Sequence, residues 1–351
     1  MKRNYLIKEC SLFSININEN IKNAIEKINK GGIQICLVFC DKNNLKGIIT
    51  DSDLRRGILN GISQNSNVKD VMNPNPIIIN EFFSEEKVFT LMLKHHIFHI
   101  PVVDQDKKLK GIFVSENLTE DKIINETFFI LAGGKGLRMR PLTDKIPKPM
   151  LRISGKPMLE IIINNAINCG FRNFVISIGY LGEVIKDYFG NGDKFGVNIS
   201  YIQEKKPLGT AGSLSLLKDM QLTDYLFVIN GDVITSLEYS NMLDFAKENR
   251  CDGVIGVKNH EIRNPFGEVK SNNGNLVDIS EKPTYQSTIN AGVYIISKKL
   301  ISFIQKDKYM DMTDLFKKGI KRKSSIKVFA IHEDWNDVGR PEDYKKLNNY
   351  R

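Results

Sequence analysis

Along the chain, short β-branched runs alternate with amphipathic segments, and the rhythm of that alternation changes near position 120. In the first part a pattern repeats. The stretch LVFCDKNNLKGIITDSDL, starting at Leu37, is echoed by PVVDQDKKLKGIFVSENL, starting at Pro101, in register over the LKGI that begins at Leu45 and again 64 residues later at Leu109. Each copy predicts a strand, an Asp-led polar turn, a second strand after Gly47 or Gly111, and then a helix. Each is preceded by an amphipathic helix, NIKNAIEKINKGG in the first and SEEKVFTLMLKHH in the second. The polar stretch from Thr119 to Glu126 reads as a linker. From Thr127 onward, strands (TFFILA, NFVISIG, NISYIQE, YLFVINGD) alternate with helices (PMLEIIINNAINCG, YLGEVIKDYFG, AGSLSLLKDM). Strict alternation predicts a mostly parallel sheet covered on both faces, with ligands at the carboxyl ends of its strands.

Composition narrows the class without naming a chemistry. The 351 residues are 41% hydrophobic and 26% charged, as in ordinary globular proteins. No apolar run approaches the roughly 18 residues that span a bilayer, and Lys8 and Glu9 interrupt the amino-terminal apolar run, so the expectation is a cytoplasmic protein without a membrane partner. Cys10, Cys36, Cys40, Cys169 and Cys251 show no paired zinc spacing and read as small core hydrophobes. Most of the net charge of +9 lies in the C-terminal part. The basic run KKGIKRKSSIK near Lys321 lacks interleaved aromatics, which argues against nucleic acid. The histidines of HHIFH (His95, His96, His99) fall at a helix-to-strand corner and read as structural, not as metal ligands.

The chemistry concentrates in FFILAGGKGLRMRPLTDKIPKPM, Phe128 to Met150. A buried strand runs into Gly133, Gly134 and Gly136 and then into Lys135, Arg138, Arg140, Lys145 and Lys148, with Asp144 the lone acid. Glycines directly after a strand let backbone amides approach a phosphate, and the cations that follow suit an anion. No Walker pattern is present, and Met139 stands where a dinucleotide fingerprint requires its last glycine. Two acids stand apart, Asp232, which ends an apolar strand after Gly231, and Asp337 in WNDVGRPEDY, and carboxylates are the ligands a hard cation takes. Far apart in sequence, they share an ion only if the fold joins them. Glu204, in IQEKKPLGTAGSL, can only accept hydrogen bonds as a carboxylate.

The repeat resembles a tandem pair of CBS domains, and the string LAGGKGLRMRPLTDKIPKPM resembles the signature of sugar-nucleotide pyrophosphorylases. The combination is similar to the CBS-bearing glucosamine-1-phosphate guanylyltransferases of legionaminic acid biosynthesis. Mannose- and heptose-1-phosphate guanylyltransferases, and uridylyl or cytidylyl relatives, share the C-terminal motifs. The resemblance implies an α/β protein: a CBS pair over 1–120, approximately 1–64 and 65–120, then a Rossmann-like, glycosyltransferase-A-like nucleotidyltransferase domain with a mostly parallel sheet over 126–351. It implies that Arg138 and Lys148 are catalytic and that Leu131, Ala132, Gly133, Gly134, Gly136, Glu204, Pro207, Gly209 and Thr210 bind the nucleoside triphosphate. Glu204 then stands where thymidylyl and uridylyl relatives commonly have a glutamine, and because guanine offers two adjacent donors whereas uracil and thymine offer one, its carboxylate favours GTP. Gly267, Glu281, Lys282 and Asn290 are implied for the sugar 1-phosphate, and Asp232 and Asp337 for Mg2+. Thr50 and Asp53 match the residues with which CBS domains hold an adenine nucleotide's ribose, while the second copy has Val114 and Asn117 instead. A homo-oligomer through the CBS pair is a further expectation. A sensor that binds nucleotide sugar without turnover is the reading from a different class, against which intact Arg138, Lys148, Asp232, Lys282 and Asp337 argue.

Overall fold

The computed structural model describes residues 4–40, 44–95, 97–115, 123–220 and 222–349. Its contacts divide the chain into two compact units, Met1–Lys122 and Ile123–Arg351.

The first unit carries the repeat in its architecture. Strands Ile35–Phe39 and Leu45–Thr50 form an antiparallel hairpin, and His99–Val103 with Leu109–Ser115 form its counterpart. The amphipathic helices are Ile21–Gly31 and Glu85–His95, each turning its apolar stripe onto its own hairpin. The glycine of each LKGI has the same job. A Cβ on Gly47 would stand 2.5 Å from the Asn73 carbonyl oxygen, and one on Gly111 would stand 2.6 Å from that of Ile7, so in both copies the bare position admits a neighbouring backbone. The helix expected after the second hairpin, with Asn117, and the linker residues Thr119 to Lys122 lie outside the described residues, as does His96. His99 begins a strand, and burial pushes its imidazole down to about 4, which keeps it neutral.

In the second unit the opening strand runs Ile124–Ala132, so the last three residues assigned to a linker are sheet instead. Ile124 is buried in the core and its N–H donates to the Gly170 carbonyl, which draws the strand back past Thr127. The seven-stranded sheet runs, in spatial order, Asn198–Gln203, Phe171–Ile178, Ile124–Ala132, Tyr225–Asn230, Thr284–Ser297, Gly253–Arg263 and Ile326–Ala330. The first four strands are mutually parallel, and Thr284–Ser297 runs antiparallel to both of its neighbours. Alternation continues through the helix Tyr239–Glu248 and breaks after Arg263. The chain returns through Gly253–Arg263 and Thr284–Ser297, a long antiparallel pair carrying a second hairpin, Glu268–Asn272 with Asn275–Ser280. The segment AGSLSLLKDM, read as one helix, is a single turn at Gly209–Gly212 followed by a 3-10 stretch, Ser213–Asp219.

Alternate residues of the central strands feed two cores, as the pleat dictates. Phe128, Ile130 and Ala132 pack with Phe171, Phe227 and Tyr239 on one face, while Phe129 packs with Leu214, Leu315 and Phe316 on the other. Beneath the strand ends the rings of Phe128 and Phe227 stack with centroids 4.7 Å apart, and Phe171 meets Phe128 edge-on at 5.0 Å. Such pairs add about 0.5–1.5 kcal/mol each beyond burial. These contacts tie three of the four parallel strands together below the rim on which they end.

Thr50 and Asp53 form a capping box at the helix Asp51–Leu59. The Asp53 N–H donates to Thr50 Oγ1 at 3.3 Å, and the Thr50 N–H donates back to Asp53 Oδ2 at 3.0 Å. Thr50→Ala should lower the stability of the first unit by about 1 kcal/mol in urea unfolding, and Thr50→Ser should not. Equal losses in both variants would show that the hydroxyl cap is not what stabilises this helix.

Candidate functional site

The rim assembles residues that follow four strands: Gly133 after Ala132, Gly179 after Ile178, Glu204 after Gln203, and Gly231 with Asp232 after Asn230. Parallel pairing aligns these ends, since Ala132 lies opposite Ile178 and Ile178 opposite Gln203.

The loop after Ala132 is shaped by two of its glycines. Gly136 takes φ +60°, in the left-handed region, and a Cβ there would come 3.1 Å from both Lys148 and Thr143. Thr143 answers by donating its buried hydroxyl to the Gly136 carbonyl at 2.9 Å, which folds the PLT segment onto the loop. Gly134 faces open space. Arg138 sits exposed in the short 3-10 turn Leu137–Met139, whereas Lys148, only 9% exposed, forms an ion pair with Asp232.

Asp232 and Asp337 are brought together. Val233–Thr235 pairs antiparallel with Trp335–Asp337, with Val233 opposite Asp337, and the Val338 N–H donates to the Asp232 carbonyl at 3.1 Å. Met139 and Val338 are both fully buried in one small apolar cluster, so the turn bearing Asp337 is fastened to the turn bearing Arg138. Trp335 is a packing residue, its indole N–H donating to the Ala291 carbonyl at 2.8 Å. Although Asp337 keeps an exposed face, partial loss of solvent and then the charge of Asp232 raise its carboxyl above the ordinary value, with Lys148 and Arg138 pulling the other way. Two hard oxygen donors that repel each other, beside cations and a glycine loop, fit a magnesium-like ion.

A second cluster surrounds Glu204. Its carboxylate accepts from the buried Ser177 hydroxyl at 2.6 Å and from the Leu208 N–H at 3.4 Å. A Cβ on Gly133 would stand 2.7 Å from Glu204 Oε1, so the first loop glycine is what lets this carboxylate lie across the strand end. The loop from Pro207 to Thr210 is clasped by a distant segment: the Thr210 N–H donates to Asp311 at 3.3 Å, and the Met312 N–H donates to the Thr210 hydroxyl at 2.7 Å. Gly209, at φ +76°, has its would-be Cβ 2.6 Å from the Met310 carbonyl oxygen.

The third group is only partly joined to these. Asn290 donates to the Tyr294 hydroxyl at 2.9 Å and accepts from the Gly292 N–H at 3.0 Å. Gly292 lies against Asn230, the residue two before Asp232, at 2.7 Å from a would-be Cβ to the amide nitrogen. Gly267, Glu281 and Lys282 belong to the exposed hairpin region, where Lys282 meets Glu281 at 3.9 Å. Among the described residues no hydrogen bond or ion pair joins Lys282 to either aspartate. Ser177, Asp311 and Tyr294 escaped sequence reasoning. A lone serine in NFVISIG looks like strand filler, and Asp311 looks like a helix cap, although its side chain goes to Thr210 instead.

Comparison with known proteins places this geometry in context. Residues 128–350 match the family model described as nucleotidyl transferase, and residues 7–60 and 68–121 each match the CBS domain. A mannose-1-phosphate guanyltransferase 2 of Candida glabrata is 34% identical over 223 residues, 61% of this chain and 62% of that protein. The bifunctional protein GlmU of Methanocaldococcus jannaschii is 36% identical over 229 residues, 63% of this chain and 53% of that protein. The match therefore spans less than two thirds of these curated relatives. A crystal structure from Bacillus anthracis, of a protein assigned as a glucose-1-phosphate thymidylyltransferase, superposes with a TM-score of 0.53 at 25% identity, covering 64% of this chain and 94% of that one.

A carboxyl raised in the folded state binds its proton more tightly there, so it costs native stability once pH rises above its unfolded value. Asp337→Asn should therefore raise the melting temperature at neutral pH in cation-free buffer. The gain should shrink as pH falls toward the ordinary aspartate value of 3.8. A gain that grows on acidification, or none at neutral pH, would contradict the electrostatic picture of this pair.

Proposed function

The chain belongs to the nucleotidyl transferase family, with two CBS domains preceding the matched region, and from that premise we propose that it is a sugar-1-phosphate nucleotidylyltransferase. It joins a nucleoside triphosphate to a sugar 1-phosphate and releases pyrophosphate. The observation that carries this reading is the convergence of the glycine loop, Arg138, Lys148, Asp232 and Asp337 on one rim.

The attacking group is a phosphate oxygen already anionic near neutrality, so the site requires no general base. Its tasks are alignment and charge stabilisation. Gly133, Gly134 and Gly136 present backbone to the phosphates, and exposed Arg138 is available to the charge that develops on the departing pyrophosphate. Lys148 is held at the loop by Asp232, which pre-orders its ammonium beside the reacting phosphates without the entropy loss of recruiting a mobile side chain. Asp232 and Asp337 would hold a divalent cation, which supplies charge neutralisation to the phosphates when bound. Asn290, Gly267 and Glu281 meet the sugar hydroxyls, and Lys282 reaches the sugar phosphate.

For the base we propose guanine, because Glu204 offers acceptors to two adjacent donors. The Candida relative's name is that of a guanyltransferase, which supports the same base. For the sugar we propose glucosamine 1-phosphate in a surface-glycan pathway of the legionaminic acid type, supported by the whole-chain resemblance of a CBS pair fused to this domain. Mannose 1-phosphate is the rival that the Candida relative favours. The CBS pair is proposed to bind an adenine nucleotide at Thr50 and Asp53, and the protein to work in the cytoplasm.

A matrix of nucleoside triphosphates against hexose and hexosamine 1-phosphates, read by pyrophosphate release with Mg2+, should give its highest turnover with GTP. No release with any pair rejects the transferase reading and favours a sensor. Asp232→Asn should keep the fold and lose roughly a hundredfold in turnover; full activity in that variant removes the metal assignment. Glu204→Gln should move preference from GTP toward UTP or dTTP by about tenfold, since an amide both donates and accepts. An unchanged nucleotide profile would mean that Glu204 does not read the base.

A further inference from the structure

We propose that Ser177 is a positioning residue for base selection, its buried hydroxyl fixing the Glu204 carboxylate so that one acceptor edge of each oxygen faces the nucleotide. The proposal rests on the nucleotide-site reading above and deepens it. Ser177 is the penultimate residue of the strand Phe171–Ile178, fully buried, and Glu204 follows the end of the adjacent parallel strand. The Glu204 backbone is tied down through its own N–H, which donates to the Ile178 carbonyl at 2.9 Å. Its side chain then has two internal donors, the Ser177 hydroxyl on Oε1 at 2.6 Å and the Leu208 N–H on Oε2 at 3.4 Å.

A carboxylate has about four acceptor sites. One on each oxygen is spent inward, leaving a parallel pair of acceptors, which is the complement of the adjacent N1–H and N2 amino donors of guanine. Close packing of the floor preserves that orientation. Gly133 has no room for a Cβ on the carboxylate side, and a Cβ on Gly179 would stand 2.5 Å from the Gly133 carbonyl oxygen. The same two neighbours would polarise a glutamine at position 204. Its carbonyl must face the Leu208 N–H, because two donors cannot face each other, and its amide nitrogen must then face the Ser177 oxygen. Such an amide presents one donor and one acceptor outward, the pattern that the imide edge of uracil or thymine matches. Without the serine hydroxyl, the carboxylate loses the stronger of its internal anchors and the acceptor pair loses its alignment.

Equilibrium binding of GTP and of UTP, each with Mg2+, to the full chain by calorimetry tests this. In Ser177→Ala the affinity for GTP should fall about tenfold while that for UTP hardly changes. Ser177→Cys, nearly the same size but a weak donor, should follow alanine, and Ser177→Thr should restore the preference. A merely structural serine would weaken both nucleotides equally or neither, and either result overturns the proposal. A wild type that does not prefer GTP over UTP overturns it as well. Pyrophosphate release by the same wild-type protein, once hexose and hexosamine 1-phosphates are added to GTP and Mg2+, separates the two readings: no turnover with any of them but intact GTP preference, lost in Ser177→Ala, rejects the transferase and leaves the positioning role standing.

Discussion

Two short antiparallel strands, Val233–Thr235 and Trp335–Asp337, are the constraint on which the proposed cation and phosphate site depends. They bring together carboxylates that the sequence separates widely, and the cost is visible in the raised Asp337 carboxyl. The pairing is not left to electrostatics, which would oppose it. Backbone hydrogen bonds set the register, the Trp335 indole locks onto the Ala291 carbonyl, and the Met139–Val338 contact fastens the turn to the glycine loop. Apolar packing and backbone pairing thus hold two like charges in place, a common arrangement where function requires what stability alone would not select.

Around that pair the remaining charges are graded by exposure. Lys148 is nearly buried and already neutralised by Asp232, so it is an ordered part of the site, while Arg138 stands in solvent. A buried ion pair of this kind gains little stability, because desolvation offsets the attraction, but removing one partner strands the other. The Glu204 cluster is built on the same logic with a different purpose. Its carboxylate is anchored by a hydroxyl on one oxygen and a backbone amide on the other, and no cation is hydrogen-bonded to it among the described residues.

The glycine loop and both aspartates were legible in the sequence because their residue types are costly elsewhere: glycines in succession after a strand, and acids at the end of apolar runs. The repeat was legible because Gly47 and Gly111 face the same steric demand, and the helices because their apolar stripes are strong. What could not be read depended on register. Ser177 becomes a partner of Glu204 only once Ile178 is known to lie opposite Gln203, and Asp311 reaches Thr210 only through the docking of a segment a hundred residues away. The antiparallel strand Thr284–Ser297 was missed because its buried half has the continuous apolar pattern that parallel strands also show. The assignment of Glu281 and Lys282 to the sugar 1-phosphate rests on their motif alone, since the hairpin region that holds them is exposed.

The central claim is that Asp232 and Asp337 form one hard-cation site beside the glycine loop. Electron paramagnetic resonance of bound Mn2+, titrated in the presence of GTP, addresses it without relying on turnover. The account predicts a single site whose affinity falls about tenfold or more in both Asp232→Asn and Asp337→Asn. Mn2+ binding that survives unchanged in either variant would contradict it.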